Sequence, residues 1–244
     1  PGALQYLYKL EMKRILRNVR GLVFVVVIPI AFLFIFATAD YAQQEYGNGN
    51  WAANILISLA LYAGLMATAG TGAAVGIERA SGWSRQLRLT PLRPINYVGA
   101  KATAGLALSG IALLTVYICG PLVHAHMPAL AWAQSFVIAW LGSIIFMSFG
   151  LFMGYLLPAE TTMQVVGPLL ALLSFLGGVF MPLTPGSTFD KIGSLTPLYG
   201  LHKLALSPMD ASNFSWAAVA NVVVWLFVFL VGAARKMRYD TARV

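Results

Sequence analysis

Six apolar stretches alternate along the chain with polar connections, and each is close to the roughly 20 residues that a helix needs to cross a hydrocarbon core. They run over about 21–39, 52–76, 101–122, 132–157, 163–183 and 215–234. This pattern predicts an all-α membrane protein, residues 1–244 forming a single transmembrane domain of six helices. Residues 1–20 have a different rhythm. In "LQYLYKLEMKRILR" (4–17), Leu4, Leu7, Tyr8, Glu11 and Ile15 recur at helical intervals with cations on the other flank. That spacing predicts an amphipathic helix lying in the membrane interface and entering the first span as an elbow. Pro29 within the first span frees a backbone carbonyl and predicts a bend there.

Composition agrees with this pattern. Hydrophobic residues make up 59% of the chain and charged residues only 10%, against about 25% in a soluble domain, and the mean hydropathy is +0.77. The net charge of +8 would point to nucleic acid if the cations shared a soluble face, but they fall between the apolar runs. Lys9, Lys13, Arg14, Arg17 and Arg20 precede the first run; Arg79, Arg85, Arg88, Arg93 and Lys101 lie between the second and third; Arg235, Lys236, Arg238 and Arg243 follow the last. Only Lys191 and Lys203 fall on the other side. The positive-inside rule therefore puts both termini and the 77–100 loop in the cytoplasm of a multi-pass cell-membrane protein. The first run lies behind five cations without a small-residue cleavage site, and reads as a retained span. The lone Cys119 lies in an apolar run and reads as packing.

Catalytic and ion-coupling chemistry finds little support. No His-Glu-x-x-His, Gly-x-Ser-x-Gly or Gly-x-x-x-x-Gly-Lys-Ser/Thr pattern occurs. His124, His126 and His202 fall in predicted outer loops and read as solvated, the alternative for "HAH" being adventitious metal binding. Asp40, Glu45, Glu78 and Glu160 sit at or beyond predicted span ends, whereas a proton relay needs ionisable groups at depth. The chain is read as non-enzymatic, with no cofactor of its own. The small-residue run "GLMATAGTGAAVG" (64–76) predicts close helix packing.

The longest polar interruption is "ERASGWSRQLRLTPLRPINYVGAK" (78–101). Ser81 or Gly82 is placed to start a short helix, "WSRQLRLT", which must end near Thr90 because Pro91 excludes the helical region for the residue before it. Trp83 and Leu87 share one face and Arg85 and Arg88 another. Charge alone permits a plainer reading, an interfacial helix whose arginines reach lipid phosphates.

The pattern Glu78-Arg79-x-x-Gly82, Leu87-Arg88-x-Thr90-Pro91, Pro94 and Lys101 resembles the signature of bacterial type-2 ABC exporter permeases, the drug and antibiotic efflux branch. "FLGGVFMPL" (175–183) and "LTPLYGLHKLAL" (195–206) resemble that family's fifth span and the re-entrant outer segment before its last span. "TPGSTFDKIG" departs from the family by lacking a Pro and Trp common in that outer loop. The resemblance implies a subunit that pairs with a second permease, identical or homologous, and with two separate ABC ATPase subunits carrying the ATP and magnesium. Residues 83–90 would be the coupling helix, with Trp83 and Leu87 as anchors, Arg85 and Arg88 meeting acidic groups, and Glu78 and Arg79 orienting the loop. The fifth span, broken at Gly177, Gly178 and Pro182, would form an outer gate with Phe175 and Phe180, the plainer alternative being an extracellular loop. A passage between two subunits would be lined by Phe, Leu, Met and small residues, with Ser58, Thr68, Thr71, Ser148 and Gln164 as its polar contacts. Such a wall fits a hydrophobic drug, antibiotic or lipid-like cargo. Polysaccharide or glycolipid export and a non-transporting membrane scaffold are the alternatives, and a separate ATPase partner would discriminate the scaffold.

Overall fold

The computed structural model describes residues 2–17, 19–82 and 94–241, most of them in helices. The order is α1 (Gly2–Arg17), α2 (Val19–Ala37), α3 (Trp51–Ala80), α4 (Pro94–Ile118), α5 (Ala129–Gly142), α6 (Ile144–Leu156), α7 (Ala159–Leu176), α8 (Thr188–Gly193), α9 (Pro197–Leu206) and α10 (Trp216–Thr241). Ser143 alone separates α5 from α6, and together they make one 28-residue apolar run.

Among the described residues, five helical stretches are long and apolar enough to cross a membrane: Trp51–Ala80, Asn96–Val123, Ala129–Leu156, Ala159–Leu176 and Trp216–Met237. The first expected span forms α2, but its described apolar stretch, Val23–Ala37, is shorter. Two boundaries also differ from the sequence reading. Helix α3 runs on to Ala80 and α4 begins at Pro94, so the connection is 81–93, not 77–100. Proline is well placed at a helix start because its missing N–H would have no partner there. Lys101 consequently lies two turns inside α4. The fifth run stops being helical at Leu176, where the Gly177-Gly178 pair ends it.

Helix α3 is the centre of the bundle, packed by α6, α4, α2 and α7, and most of its residues are buried. The closeness of α3 and α6 follows from "GLMATAGTGAAVG". A Cβ on Gly150 of α6 would run into the Ala69 carbonyl, and one on Gly72 would press on the backbone of Met147 and Leu151. The two backbones meet with no side chain between them, the approach that small residues permit.

At one end of the bundle a two-residue antiparallel hairpin (Glu45–Tyr46 with Gly49–Asn50) leads into α3. Asn50 caps α3 by accepting from the Ala53 N–H (3.0 Å), and its amide donates to the His124 carbonyl (2.8 Å). The opposite end carries the 81–93 connection. There Ser81 caps α3, and Gly82, at φ +77°, closes it with an N–H bond to the Arg79 carbonyl. Open space surrounds Gly82, so its left-handed backbone is what calls for glycine. Ser81 and Gly82, read from sequence as the start of the next helix, thus end the preceding one. The rod expected over 83–90 lies outside the described residues.

Candidate functional site

A buried ionic cluster ties together the two flanks of the 81–93 connection. Glu78 sits in the last turn of α3, where the helix dipole disfavours a carboxylate, and it is only 3% exposed. Its stability therefore depends on cations and donors from elsewhere. Lys101 Nζ of α4 lies 2.6 Å from Glu78 Oε1 and 3.3 Å from Oε2 of Glu11 on α1. Arg14 Nη1 donates to the same Glu78 Oε1, and the Tyr97 hydroxyl donates to Oε2. Helical spacing assembles the set: Glu11 and Arg14 are i, i+3 on α1, and Tyr97 and Lys101 are i, i+4 on α4. Glu11 and Lys101 are buried as deeply as Glu78, whereas Arg14 is half exposed.

The next residue fastens α3 elsewhere. Arg79 Nη1 donates to the Gly154 carbonyl (2.9 Å), and its guanidinium lies 5.2 Å over the Tyr155 ring, both on α6. Arginine suits this double role because its planar fork can donate and stack at once.

Among the described residues no group of three His, Cys, Asp or Glu side chains could hold a metal. What the cluster does is mechanical: it joins the C-terminus of α3, the second turn of α4 and the middle of α1. Glu78, Arg79 and Gly82, picked out from sequence, all lie here. Trp83, Arg85, Leu87, Arg88, Thr90 and Pro91 fall outside the described residues. Sequence reasoning missed Glu11, Arg14, Tyr97 and Lys101 as members of one site. The available signal was Glu11, a single acid on the otherwise apolar face of α1.

At the other end, Gly177 caps α7 and packs against Leu198 of α9, while Gly178 takes φ +82°. Phe175 packs against Phe180 with the rings tilted by 58° (centroids 5.0 Å apart), and Phe180 meets Tyr62 at 4.8 Å and Phe32 at 6.5 Å. Pro182 is exposed in the non-helical stretch that follows. Four of the five residues named for a gate thus surround one turn, and Phe180 links it to α2 and α3.

Two site readings need correction. His202 is not a solvated loop residue: it is buried on α9, with Nε2 2.8 Å from Ser58 Oγ. The hydroxyls named for a cargo path are consumed inside the chain. Ser58 meets His202 and the Asn54 carbonyl, Thr68 reaches the Gly64 and Ser143 carbonyls, Thr71 bonds the Ala67 carbonyl, and all three are buried. Ser148 is likewise buried. Because α3 is the central helix, polar groups on any of its faces meet other helices; Gln164 alone of the set is exposed.

Asp190, on α8, accepts from the Gly186 N–H (3.0 Å) and the Tyr199 hydroxyl (2.8 Å). The Gly186 N–H is the main reason its carboxyl is held below the usual carboxylate range; desolvation opposes it, and Tyr199 and Lys203 add to it. His126 Nε2 lies 3.5 Å from Glu45, both largely exposed.

The profile of the family described as "ABC-2 type transporter" matches residues 2–207. A protein of Bacillus subtilis (strain 168), named "Putative transport permease YvfS", is 23% identical over 224 residues, which covers 91% of each chain.

Proposed function

Because the chain belongs to the ABC-2 type transporter family, we propose that it is the membrane-spanning permease subunit of an ATP-driven exporter. It works with two copies of a separate ABC ATPase and pairs with a second permease, identical or homologous. In this reading α2 supplies the sixth span, both termini and the 81–93 connection face the cytoplasm, and residues 83–90 seat in a groove of the ATPase. The ionic cluster of Glu78, Lys101, Glu11, Arg14 and Tyr97 is the observation that carries it. A loop that receives a push is useful only if its ends are fixed to the elements that must move, and this cluster fixes both ends to each other and to α1.

The cargo is a hydrophobic or amphipathic compound, a drug, antibiotic or lipid-like molecule. Away from their ends, the described exposed faces of α2, α4, α7 and α10 carry Phe, Val, Leu and Ile and no ionisable group. An ion would be desolvated there without a counter-charge, whereas an apolar surface gains about 25 cal/mol per Å² on burial. With the α3 hydroxyls internal, Gln164 is the remaining polar contact of the proposed path.

The experiment is co-purification of the tagged chain in mild detergent, followed by ATPase assays on the reconstituted complex. An ABC ATPase should co-purify and be stimulated by several unrelated lipophilic compounds. A stable chain that brings no ATPase would favour a scaffold, and stimulation confined to sugars or small ions would overturn the cargo class.

A further inference from the structure

We propose that Asn221 and Trp225 are positioning residues that hold the 194–196 turn at membrane depth against α10, so that the re-entrant segment and the last helix move as one body. Part of the proposal rests on the reading above, namely that α10 crosses the bilayer and the α8–α9 segment belongs to the outer gate.

Depth follows from the helix. Asn221 and Trp225 come five and nine residues after Trp216, the first residue of α10. At 1.5 Å per residue they lie about 8 and 14 Å along the axis from that end. Asn221 Nδ2 donates to the carbonyls of Ser194 (3.0 Å) and Thr196 (3.1 Å), and Trp225 Nε1 donates to the carbonyl of Leu195 (3.0 Å). The turn between α8 and α9 is therefore level with that stretch of α10, well inside the apolar zone. Its side chains agree, with Leu195 largely exposed and Ile192 about half exposed on the outside of the bundle.

Non-helical backbone at such a depth must have every polar group satisfied within the protein. Here the accounting closes. The N–H groups of Ser194, Leu195 and Thr196 bond back to the carbonyls of Asp190, Ile192 and Gly193. Pro197 has no N–H to satisfy. The three consecutive carbonyls of Ser194, Leu195 and Thr196 take the three side-chain N–H donors of α10. Asn221 Oδ1 has no hydrogen-bond partner among the described residues. It lies where a Cβ on Gly200 would come within 2.7 Å, so glycine there lets α9 approach. An amide with an idle oxygen in an apolar helix costs free energy, and its two N–H bonds to the turn are what offset that cost. Trp225 is likewise far from the interface where tryptophan concentrates, and its indole N–H is committed to the turn.

The test uses intact cells expressing the full chain with Cys119→Ser and one added cysteine, Leu195→Cys or Ser212→Cys, treated with an impermeant maleimide. In the parent, Leu195→Cys should label at least tenfold more slowly than Ser212→Cys. Asn221→Leu keeps the side-chain shape and removes two donors; Trp225→Phe keeps an aromatic ring and removes one. Both make α10 more apolar, so neither should impair insertion. Asn221→Leu should raise labelling at Leu195→Cys about tenfold, equivalent to about 1.4 kcal/mol, and Trp225→Phe about threefold. Neither should change labelling at Ser212→Cys or the melting temperature. Fast labelling of the parent at Leu195→Cys, or rates unmoved by both substitutions, would overturn the proposal. The measurement needs no ATPase: failure to co-purify one would refute the transport function and leave the staple standing, and the converse holds for labelling.

Discussion

Lys101→Met isolates the ionic cluster from everything else in the bundle. Methionine matches the aliphatic stem and removes only the charge, leaving Glu11 and Glu78 buried with the half-exposed Arg14 as the one remaining cation of the cluster among the described residues. At 2.6 and 3.3 Å, an effective dielectric of about 20 gives attractions on the order of 6 and 5 kcal/mol for the two pairs. Desolvation of several kcal/mol per buried ion cancels much of this. What survives when one partner is removed is about 3–5 kcal/mol of destabilisation, because an uncompensated buried charge is left behind. A second substitution, Glu11→Gln, removes one stranded carboxylate while keeping its shape. The double variant should regain about 2 kcal/mol over Lys101→Met, a coupling typical of residues in one network. The assay is a double-mutant cycle on unfolding in detergent, with protease sensitivity of the α1–α2 junction as a second readout for release of α1. A Lys101→Met variant within about 1 kcal/mol of wild type, or additive losses in the double variant, would refute the clamp.

Three further outcomes are expected. Single cysteines replacing Asn48 and Ser212 in the Cys119→Ser background should react with an impermeant reagent from outside cells while one replacing Ser84 does not; labelling of the Ser84 site from outside would reverse the topology. Arg88→Glu and Trp83→Ala should leave membrane insertion intact yet weaken ATPase association by about 2 kcal/mol, roughly thirtyfold, as loss of an interface anchor does; unchanged binding and export in both would leave only a lipid-facing helix. Gly150→Val should force α3 and α6 apart and lower stability by about 1–3 kcal/mol or more, read as a fall in unfolding temperature, and a variant as stable as wild type would contradict the backbone contact.

The helices were legible because apolar length and punctuation are local properties. The stop at Gly177-Gly178 was visible for the same reason, as was the small-residue seam of α3. The ionic cluster was not, because its members are dispersed: Glu11, Glu78 and Lys101 each stand beside an apolar run, where a charge ordinarily faces water or headgroups. Hydropathy windows also placed the start of α4 at Lys101, whereas the helix begins at Pro94 and carries the lysine inward. The hydroxyls of α3 misled in another way. Polarity in a span can serve cargo or a neighbouring helix, and only the central position of α3 decides for the neighbour. His202 was read as loop because it lies between the fifth and the last apolar runs, but ten residues from Pro197 suffice for a helix that is mostly buried.

Helix α3 also has the geometry of a lever arm. Glu78 is held at one end and Ser58 touches His202 twenty residues away, a distance of about 30 Å along the axis. The glycine seam leaves no interposed side chains to absorb displacement between α3 and α6, so the arm has a stiff bearing along its length. A rocking of about 5° about the foot would carry the Ser58 end through about 2.6 Å over that length. That is close to the whole 2.8 Å span of the Ser58–His202 contact, so a small rotation at one end suffices to break or make a hydrogen bond at the other.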